Sequence, residues 1–304
     1  MMPAASQQPR LRHFEGMGGP CDLAVFEAPE SFLDLLEAEV VRLELRYSRY
    51  RQDSLVSVIN SNAGTVQGVD AECAGLLNYA DHCYWLSDGL FDVTAGVLRR
   101  VWDFKQRRVP GEAELASVQS LIGWERVAWD GQRLQLAPGM ELDFGGIVKE
   151  FAADRLVTMM NEAGYSGMAN LAGDIAVTGP QPDGQPWLLG VRDPGGDVRA
   201  MARVALNQGG LASSGDYERG FTHQGVRYSH ILNPNTGWPV EQAPRAVTVI
   251  ADHCIMAGSL ATIAMLKGKD AESWLVALDV PFLLCNSAGK VSGTLAAPNE
   301  IPND

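Results

Sequence analysis

The sequence predicts an α+β fold in which a mostly antiparallel sheet is packed by helices. Helical-period segments and strand-like runs are interspersed without a regular βαβ rhythm. Beyond residue 165 strand-like, antiparallel-looking runs dominate. The chain has 304 residues, 46% of them apolar and 20% charged, as in an ordinary soluble globular protein. That length suits one large domain or two small ones, and no internal repeat, linker or low-complexity segment divides it.

Taken in order, residues 1–10 read as a disordered arm, and the folded part as 11–304. Arg12 to Phe26 reads as a strand broken at Gly16-Met17-Gly18-Gly19-Pro20, where the backbone can approach something closely. Ser31 begins a helix, with Asp34 placed as a weak capping box and Phe32, Leu35, Leu36, Val40, Leu43 and Tyr47 as its apolar stripe. A polar turn and a short helix ending near Asn60 follow, then a helix from about Ala71 to Ser87 stopped by Asp88-Gly89. Residues 90–104 combine a turn with a short amphipathic helix. Residues 109–140 predict a helix and then a hairpin turning at Asp130-Gly131.

Leu142-Asp143-Phe144-Gly145-Gly146 leads straight into a helix, in which Ile147, Val148, Phe151, Ala152, Leu156, Met159 and Met160 keep helical spacing and Gly164 supplies the C-terminal cap. The runs GMANLAGDIAVTG, PWLLGVRDP, ARVALNQGGLASS, VRYSHIL and RAVTVIAD then read as strands. A helix at about 256–267 precedes a last α/β stretch through PFLLCNSAGKVSGTL.

Charge narrows the function. With 24 Lys and Arg against 37 Asp and Glu the net charge is −13, and the acidic residues are spread along the chain. That argues against nucleic acid or an anionic membrane surface as the main partner. A phosphate-bearing ligand would need local amides, a few bases or a divalent cation. The five cysteines (Cys21, Cys73, Cys83, Cys254, Cys285) show no CxxC spacing and read as reduced, mostly buried thiols. No apolar run reaches the ~18 residues of a membrane span. The first residues, MMPAASQQPRLRHFEG, carry no apolar h-region and no lipid-acceptor cysteine, so the chain as written reads as cytoplasmic. A protein trimmed of a leader, and hence periplasmic, would read the same.

The stretch 212–240, ASSGDYERGFTHQGVRYSHILNPNTGWPV, is the densest in turn chemistry. It sets His230 between Ser229 and Ile231, ahead of an Asn233-Pro234 turn. A histidine so placed suits proton handling, since an unperturbed imidazole titrates near ~6.5. A β-hairpin whose histidine satisfies a local hydrogen bond explains the same residues. LDFGGIVKE puts two glycines and Lys149 at a helix N-terminus, a natural phosphate seat; it matches neither the P-loop nor the dinucleotide fingerprint, and a tight turn reads equally from it. Asn170, Gly173 and Asp174 mark either a site or a β-bulge with a turn-forming aspartate. Arg49, Tyr50, Arg51 and Ser54 suit a ring and a phosphate, or a solvated turn. His253-Cys254 has no partner at zinc-ligand spacing, and no G-x-S-x-G elbow is present.

As an ordered set, MGGPCDLAVF, SRYRQDSLVSVIN, GLFDVTAGVL, LDFGGIVKEFAADR, NLAGDIAVTG, ASSGDYER and YSHILNPNTGWPV resemble the ApbE-like FAD:protein FMN transferases over roughly residues 12–285. The resemblance implies a single ApbE-like, T-fold-like domain. It implies phosphoryl transfer with FAD as substrate and Mg²⁺: a threonine or serine hydroxyl of an acceptor flavoprotein attacks the FMN-side phosphorus and AMP leaves. Met17, Tyr50, Leu90, Phe91, Asp92, Lys149 and Ile231 are implied to line the FAD site, and His230 to take the proton from the attacking hydroxyl. The Gly146 carbonyl and Thr262 are implied as metal ligands. Two positions depart from the family pattern. Gly258 stands where the metal-binding aspartate belongs, and Ala172 replaces a glycine of the NLGGD segment. The loss of a carboxylate matters to a hard cation; Asp252, Asp143 or the FAD phosphates are the candidates to compensate. Two further activities stay open on this basis: an FAD-binding protein without transfer, and hydrolysis of FAD to FMN and AMP. If the missing carboxylate is the defect, Gly258→Asp is expected to raise Mg²⁺-dependent activity.

Overall fold

The computed structural model describes residues 8–195, 200–217 and 220–296. Residues 1–7 of the expected arm lie outside this set, as do Glu218 and Arg219 of the ASSGDYER segment. Arg10 already opens the first strand.

Strands β1 (Arg10–Gly16) and β2 (Gly19–Val25) form a hairpin. Its two turn residues, Met17 (φ 52°) and Gly18 (φ 83°), are both left-handed, the turn whose twist matches the flanking strands. Helices α1 (Glu30–Tyr47) and α2 (Leu55–Ser61), strand β3 (Gln67–Gly68) and helix α3 (Ala71–Leu86) follow. A 3₁₀ helix at Val93–Arg100, helix α4 (Glu112–Gln119) and the hairpin β4 (Ala128–Trp129)–β5 (Arg133–Gln135) lead to α5 (Val148–Glu162). Next come β6 (Gly167–Leu171), β7 (Asp174–Val177), the ribbon β8 (Trp187–Arg192)–β9 (Ala200–Leu206), β10 (Gly209–Gly215), and the hairpin β11 (Phe221–His223)–β12 (Val226–Tyr228). The chain closes with β13 (Ala246–Ala251), α6 (Cys254–Lys267), α7 (Ala271–Ala277), β14 (Phe282–Cys285) and β15 (Val291–Ser292).

The α+β expectation holds. An eight-stranded sheet runs β1-β2-β6-β7-β10-β13-β14-β15, with every neighbouring pair antiparallel. Strand periodicity decides its two faces. On β2, Cys21, Leu23 and Val25 face the helices and join the main core, while Ala24, and Phe26 just past the strand, pack with the β8–β9 ribbon. Both faces are covered, so the central strands read as apolar runs. Helix α6 is buried on nearly every side between the sheet and its neighbouring helices, as its uniformly apolar sequence requires. Gly210 permits this closeness: a β-carbon there would overlap the Cys254 backbone. A smaller cluster of Val97, Leu98, Val101, Trp102, Leu115, Val118 and Phe221 ties the 3₁₀ helix, α4 and the β11–β12 hairpin together. All five cysteines are buried and free, as read from the sequence.

Local departures have identifiable causes. Helix α1 starts at Glu30, one residue before the expected Ser31, so its N-cap is Pro29, which has no side-chain acceptor, and Asp34 lies too far into the helix for a capping box. Asp34 pairs instead with Arg12 of β1 at 2.8 Å. Leu35 is 59% exposed and Leu33 takes its place in the core. ARVALNQGGLASS folds as two strands, and only Val226–Tyr228 of VRYSHIL is extended, which leaves His230 in the bend beyond. The β-bulge reading of NLAGD gives way to a two-residue hairpin turn, with Ala172 at φ 51° and Gly173 at φ 98°. Helix α6 begins at Cys254, two residues before the expected start. Asp154 of α5 accepts from the amides of Cys254 at 2.8 Å and Ile255 at 2.9 Å, an N-terminal cap supplied from another helix.

Candidate functional site

The start of α5 is built by its flanks. Asp143 accepts from the Gly145 amide at 2.8 Å, and its own amide donates to the Val93 carbonyl at 2.8 Å. Its other carboxylate oxygen pairs with Arg49. Burial lowers the Arg49 guanidinium, but Asp143 and Tyr50 outweigh it and hold the group above its ordinary range. The Arg49 guanidinium also lies 5.0 Å from the Tyr50 ring centre and donates to its hydroxyl at 2.9 Å. Ile147, at φ −141° and ψ −24°, takes the backbone out of helical geometry right after Gly146. Gly146 abuts Phe91: a β-carbon there would lie 3.4 Å from Phe91 Cζ.

The 90–92 turn that carries Phe91 is fixed from both ends. The Phe91 amide donates to Ser87 Oγ at 2.8 Å. Asp92 accepts from the amide and hydroxyl of Thr94 at 2.7 and 2.6 Å and from the Trp124 amide at 3.1 Å. Burial raises its carboxyl above the ordinary aspartate range, and those donors offset part of the rise.

The first turn of α5 meets β7 and α6. Lys149 Nζ pairs with Asp174 Oδ2 at 2.7 Å, and the Asp174 side chain is 3% exposed. Next to it Glu150 is 7% exposed, and its Oε2 has no hydrogen-bond partner. Desolvation, then the charge of Asp174, push the Glu150 carboxyl well above the ordinary glutamate range, and Lys149 pulls the other way. On α6 the position facing Glu150 is Gly258. A β-carbon built there falls 2.5 Å from Glu150 Cγ and 2.8 Å from Oε1. The glutamate thus occupies the space that a side chain at 258 would enter. Thr262, half-buried, follows Gly258 by one helical turn and shares its face of α6.

His230 is half-buried in a loop pinned to the satellite core. Ile231, 8% exposed, anchors it in the main core, and its amide donates to Ser229 Oγ at 3.2 Å. The turn after it closes with Gly237 N donating to Asn233 O at 2.8 Å, and Trp102 Nε1 donates to Gly237 O at 2.8 Å. Arg245 holds Asp216 of the preceding turn at 3.1 Å.

Of the residues expected to line a flavin site, Phe91 lies against Gly146, the residue whose carbonyl is expected to bind the metal, and Lys149 is the sequence neighbour of Glu150, which faces Gly258. Leu90 and Met17 are half-buried at the edge of the main core. Tyr50 is 76% exposed, with the Arg49 guanidinium over its ring. Of the acids expected to compensate for Gly258, Asp143 is engaged by Arg49 and Gly145, and Asp252 is exposed in the turn before α6. Glu150 was missed. The signal for it was a glutamate inside an apolar helical stripe, between Val148 and Ala152.

Among the described residues no three His, Cys, Asp or Glu side chains are arranged to hold a metal ion. A mixed oxygen set is a different matter. The Gly146 carbonyl, the Thr262 hydroxyl and the Glu150 carboxyl, whose Oε1 lies beside Gly258 and whose Oε2 has no partner, are hard donors of the kind Mg²⁺ accepts. No helix among the described residues is long and apolar enough to cross a membrane.

Comparison with known proteins bears on the whole chain. The profile of the ApbE family matches residues 17–284. An FAD:protein FMN transferase of Vibrio cholerae is 30% identical over 248 residues, covering 77% of this chain and 74% of its own. One from Treponema pallidum is 30% identical over 267 residues, covering 81% and 73%. The crystal structure of an ApbE protein from Thermotoga maritima superposes with a TM-score of 0.88 at 29% identity, covering 94% of this chain and 97% of its own. That of the flavinyl transferase ApbE of Pseudomonas stutzeri, in its apo form, gives 0.84 at 28% identity, covering 94% and 95%.

Proposed function

The chain belongs to the ApbE family, and from that premise we propose that it transfers FMN from FAD to a threonine or serine hydroxyl of an acceptor flavoprotein, with a divalent metal. The observation that carries the reading is the start of α5. A glycine pair opens the helix there, and Lys149 is fixed in its first turn by the buried Asp174 at 2.7 Å. Helix amides and a half-exposed cation are what a pyrophosphate needs in a chain of net charge −13.

In this reading the acceptor oxygen forms a bond to the FMN-side phosphorus, the bond from that phosphorus to the bridging oxygen breaks, and AMP departs with that oxygen. His230 removes the acceptor proton. The backbone that follows it is anchored by Ile231 and by the 233–237 turn, which places the residue for that step. Lys149 steadies the pyrophosphate, and Phe91, Leu90, Met17, Tyr50 and Ile231 shape the flavin side, with Asp92 bracing the turn that carries Phe91. The Gly146 carbonyl and Thr262 hydroxyl would hold the metal, Mg²⁺ by donor type. Bound there, the ion would offset the pyrophosphate charge and make its phosphorus more electrophilic.

The test is incubation with FAD, Mg²⁺ and a flavoprotein fragment bearing an acceptor threonine, following AMP release and the mass of the fragment. Stoichiometric AMP and a fragment heavier by one FMN are expected. AMP formed equally well without acceptor would replace transfer by FAD hydrolysis. One observation, the glycine at 258, favours a flavin carrier without transfer; bound flavin with no AMP under any divalent metal would establish that reading.

A further inference from the structure

Among the described residues, Glu150 and Asp174 are the acidic side chains that are buried, and the arrangement around Glu150 is unusual. Its Oε2 has no hydrogen-bond partner. The lysine beside it in sequence, Lys149, is partly exposed and paired to the buried Asp174 at 2.7 Å, so it does not stand as a partner given to Glu150 alone. Burying a carboxyl oxygen without a partner is expensive, and a bound ion is one of the few things that account for such a group. Across from it α6 presents Gly258, the one residue type that leaves the glutamate room: a β-carbon there would fall 2.5 Å from Glu150 Cγ and 2.8 Å from Oε1. The flat position and the intruding carboxylate are complementary. Each would clash with the ordinary alternative to the other.

We propose that Glu150 is the anionic ligand of the divalent-metal site, its carboxylate reaching from α5 into the place on α6 left open by Gly258. The charge that the sequence lacks at 258 is therefore present in space, carried by a neighbouring helix. Gly146 lies four residues before Glu150, and Thr262 one helical turn after Gly258, so the carbonyl, the hydroxyl and the carboxylate come from the two segments that meet here. A hard divalent cation takes such oxygen donors and keeps its remaining positions for water or phosphate oxygen. The inference rests on the transferase reading for the use of the metal, but its test does not require turnover.

The probe is Mn²⁺, titrated into the full chain and followed by electron paramagnetic resonance, alone and with FAD, with FAD and Mn²⁺ without protein as the blank. Thermal melting is recorded with and without the ion. The wild type is expected to bind Mn²⁺ and to melt at a higher temperature with it. Glu150→Gln keeps shape and removes charge; its affinity is expected to fall at least tenfold while its metal-free melting temperature stays equal or rises. Glu150→Ala is expected to lose binding, and the double variant Glu150→Ala with Gly258→Asp to regain it by returning the carboxylate to α6. If Glu150→Gln melts abnormally, the comparison of Glu150→Ala with that double variant decides. Mn²⁺ affinity within twofold of wild type in Glu150→Gln, or no binding by the wild type, overturns the assignment and leaves Glu150 as a structural partner of Asp174. Mn²⁺ binding that depends on Glu150 without any AMP release would instead sink the transferase reading alone.

Discussion

Glu150 of α5 and Gly258 of α6 share one volume: the glutamate carboxylate fills the space into which a side chain at 258 would grow, with Cγ 2.5 Å from the would-be β-carbon. The expectation that an aspartate at 258 repairs a defect therefore changes. Gly258→Asp alone drives a second carboxylate into a pocket that already holds two, Glu150 and Asp174, and loss of stability is expected in place of gained activity.

Gly258→Ala isolates the steric part. Replacing glycine by alanine inside a helix is worth about 1 kcal/mol in propensity, but overpacking a filled interior costs roughly 1–3 kcal/mol. The contact is with the middle of a buried side chain, so the second effect wins, and a net loss of about 1 kcal/mol is expected in urea melts. Adding Glu150→Ala removes the obstacle. The double variant is expected to be non-additive by about the same amount.

His230→Ala is expected to leave FAD affinity within about threefold of wild type, and to lower the transfer rate by ~10²–10⁴, the range for loss of a positioned base. Loss of FAD binding together with rate would instead make the residue a structural support of the 231–240 loop. Isothermal titration and AMP-release kinetics on the same preparation separate the two.

The legible parts of the fold are those that local periodicity governs. β2 alternates, α5 keeps its stripe, and the Asp130-Gly131 turn joins β4 and β5. What was not legible depends on partners far along the chain. The true start of α6 is set by Asp154, a hundred residues earlier, and Asp34, read as part of a cap on α1, pairs across to Arg12 of β1. The same holds for the site. His230, Lys149 and the glycine pair stand out by residue type and turn chemistry. Glu150 becomes conspicuous only when α5 lies against α6, because no spacing rule connects positions 150 and 258.

Acid sensitivity follows from the charges that join α1, α3 and α5. Arg42 donates to Glu39 at 2.8 and 2.9 Å and to Glu72 at 3.2 Å. The Arg42 hydrogen bond holds the Glu39 carboxyl below the ordinary 4.5, against the opposing effect of burial. For Glu72 burial raises the carboxyl, but Arg42 and Tyr47 outweigh it and the net direction is down. A depressed carboxyl stabilises the fold above its unfolded value and loses that contribution as pH falls through the folded one. Arg42→Met is expected to cost less than about 1 kcal/mol near neutrality, because Arg42 is 43% exposed and solvent screens it. Melting temperatures measured downward from about pH 5 are expected to fall less steeply in the variant than in the wild type. Parallel curves would show that these ion pairs carry no acid dependence.

Asp154 offers the sharpest test of how α6 is placed. Its two oxygens accept from the Cys254 and Ile255 amides at 2.8 and 2.9 Å. Burial holds the carboxyl above the ordinary aspartate range, and the two amides pull it back. Asp154→Ala leaves both amides unsatisfied, and Cys254 is fully buried, so water cannot replace the lost acceptor there. A lost cap costs ~0.5–2 kcal/mol and an orphaned buried donor ~1–3 kcal/mol, so a loss of about 2–3 kcal/mol in chemical denaturation is expected. Asp154→Asn retains one acceptor oxygen and is expected to lose about half as much. The change also reaches the site, since α6 carries both Gly258 and Thr262: Asp154→Ala is expected to weaken Mn²⁺ binding, whereas Asp154→Asn weakens it less. If both variants melt within about 0.5 kcal/mol of wild type, α6 is positioned by apolar packing alone and the carboxylate is incidental to it.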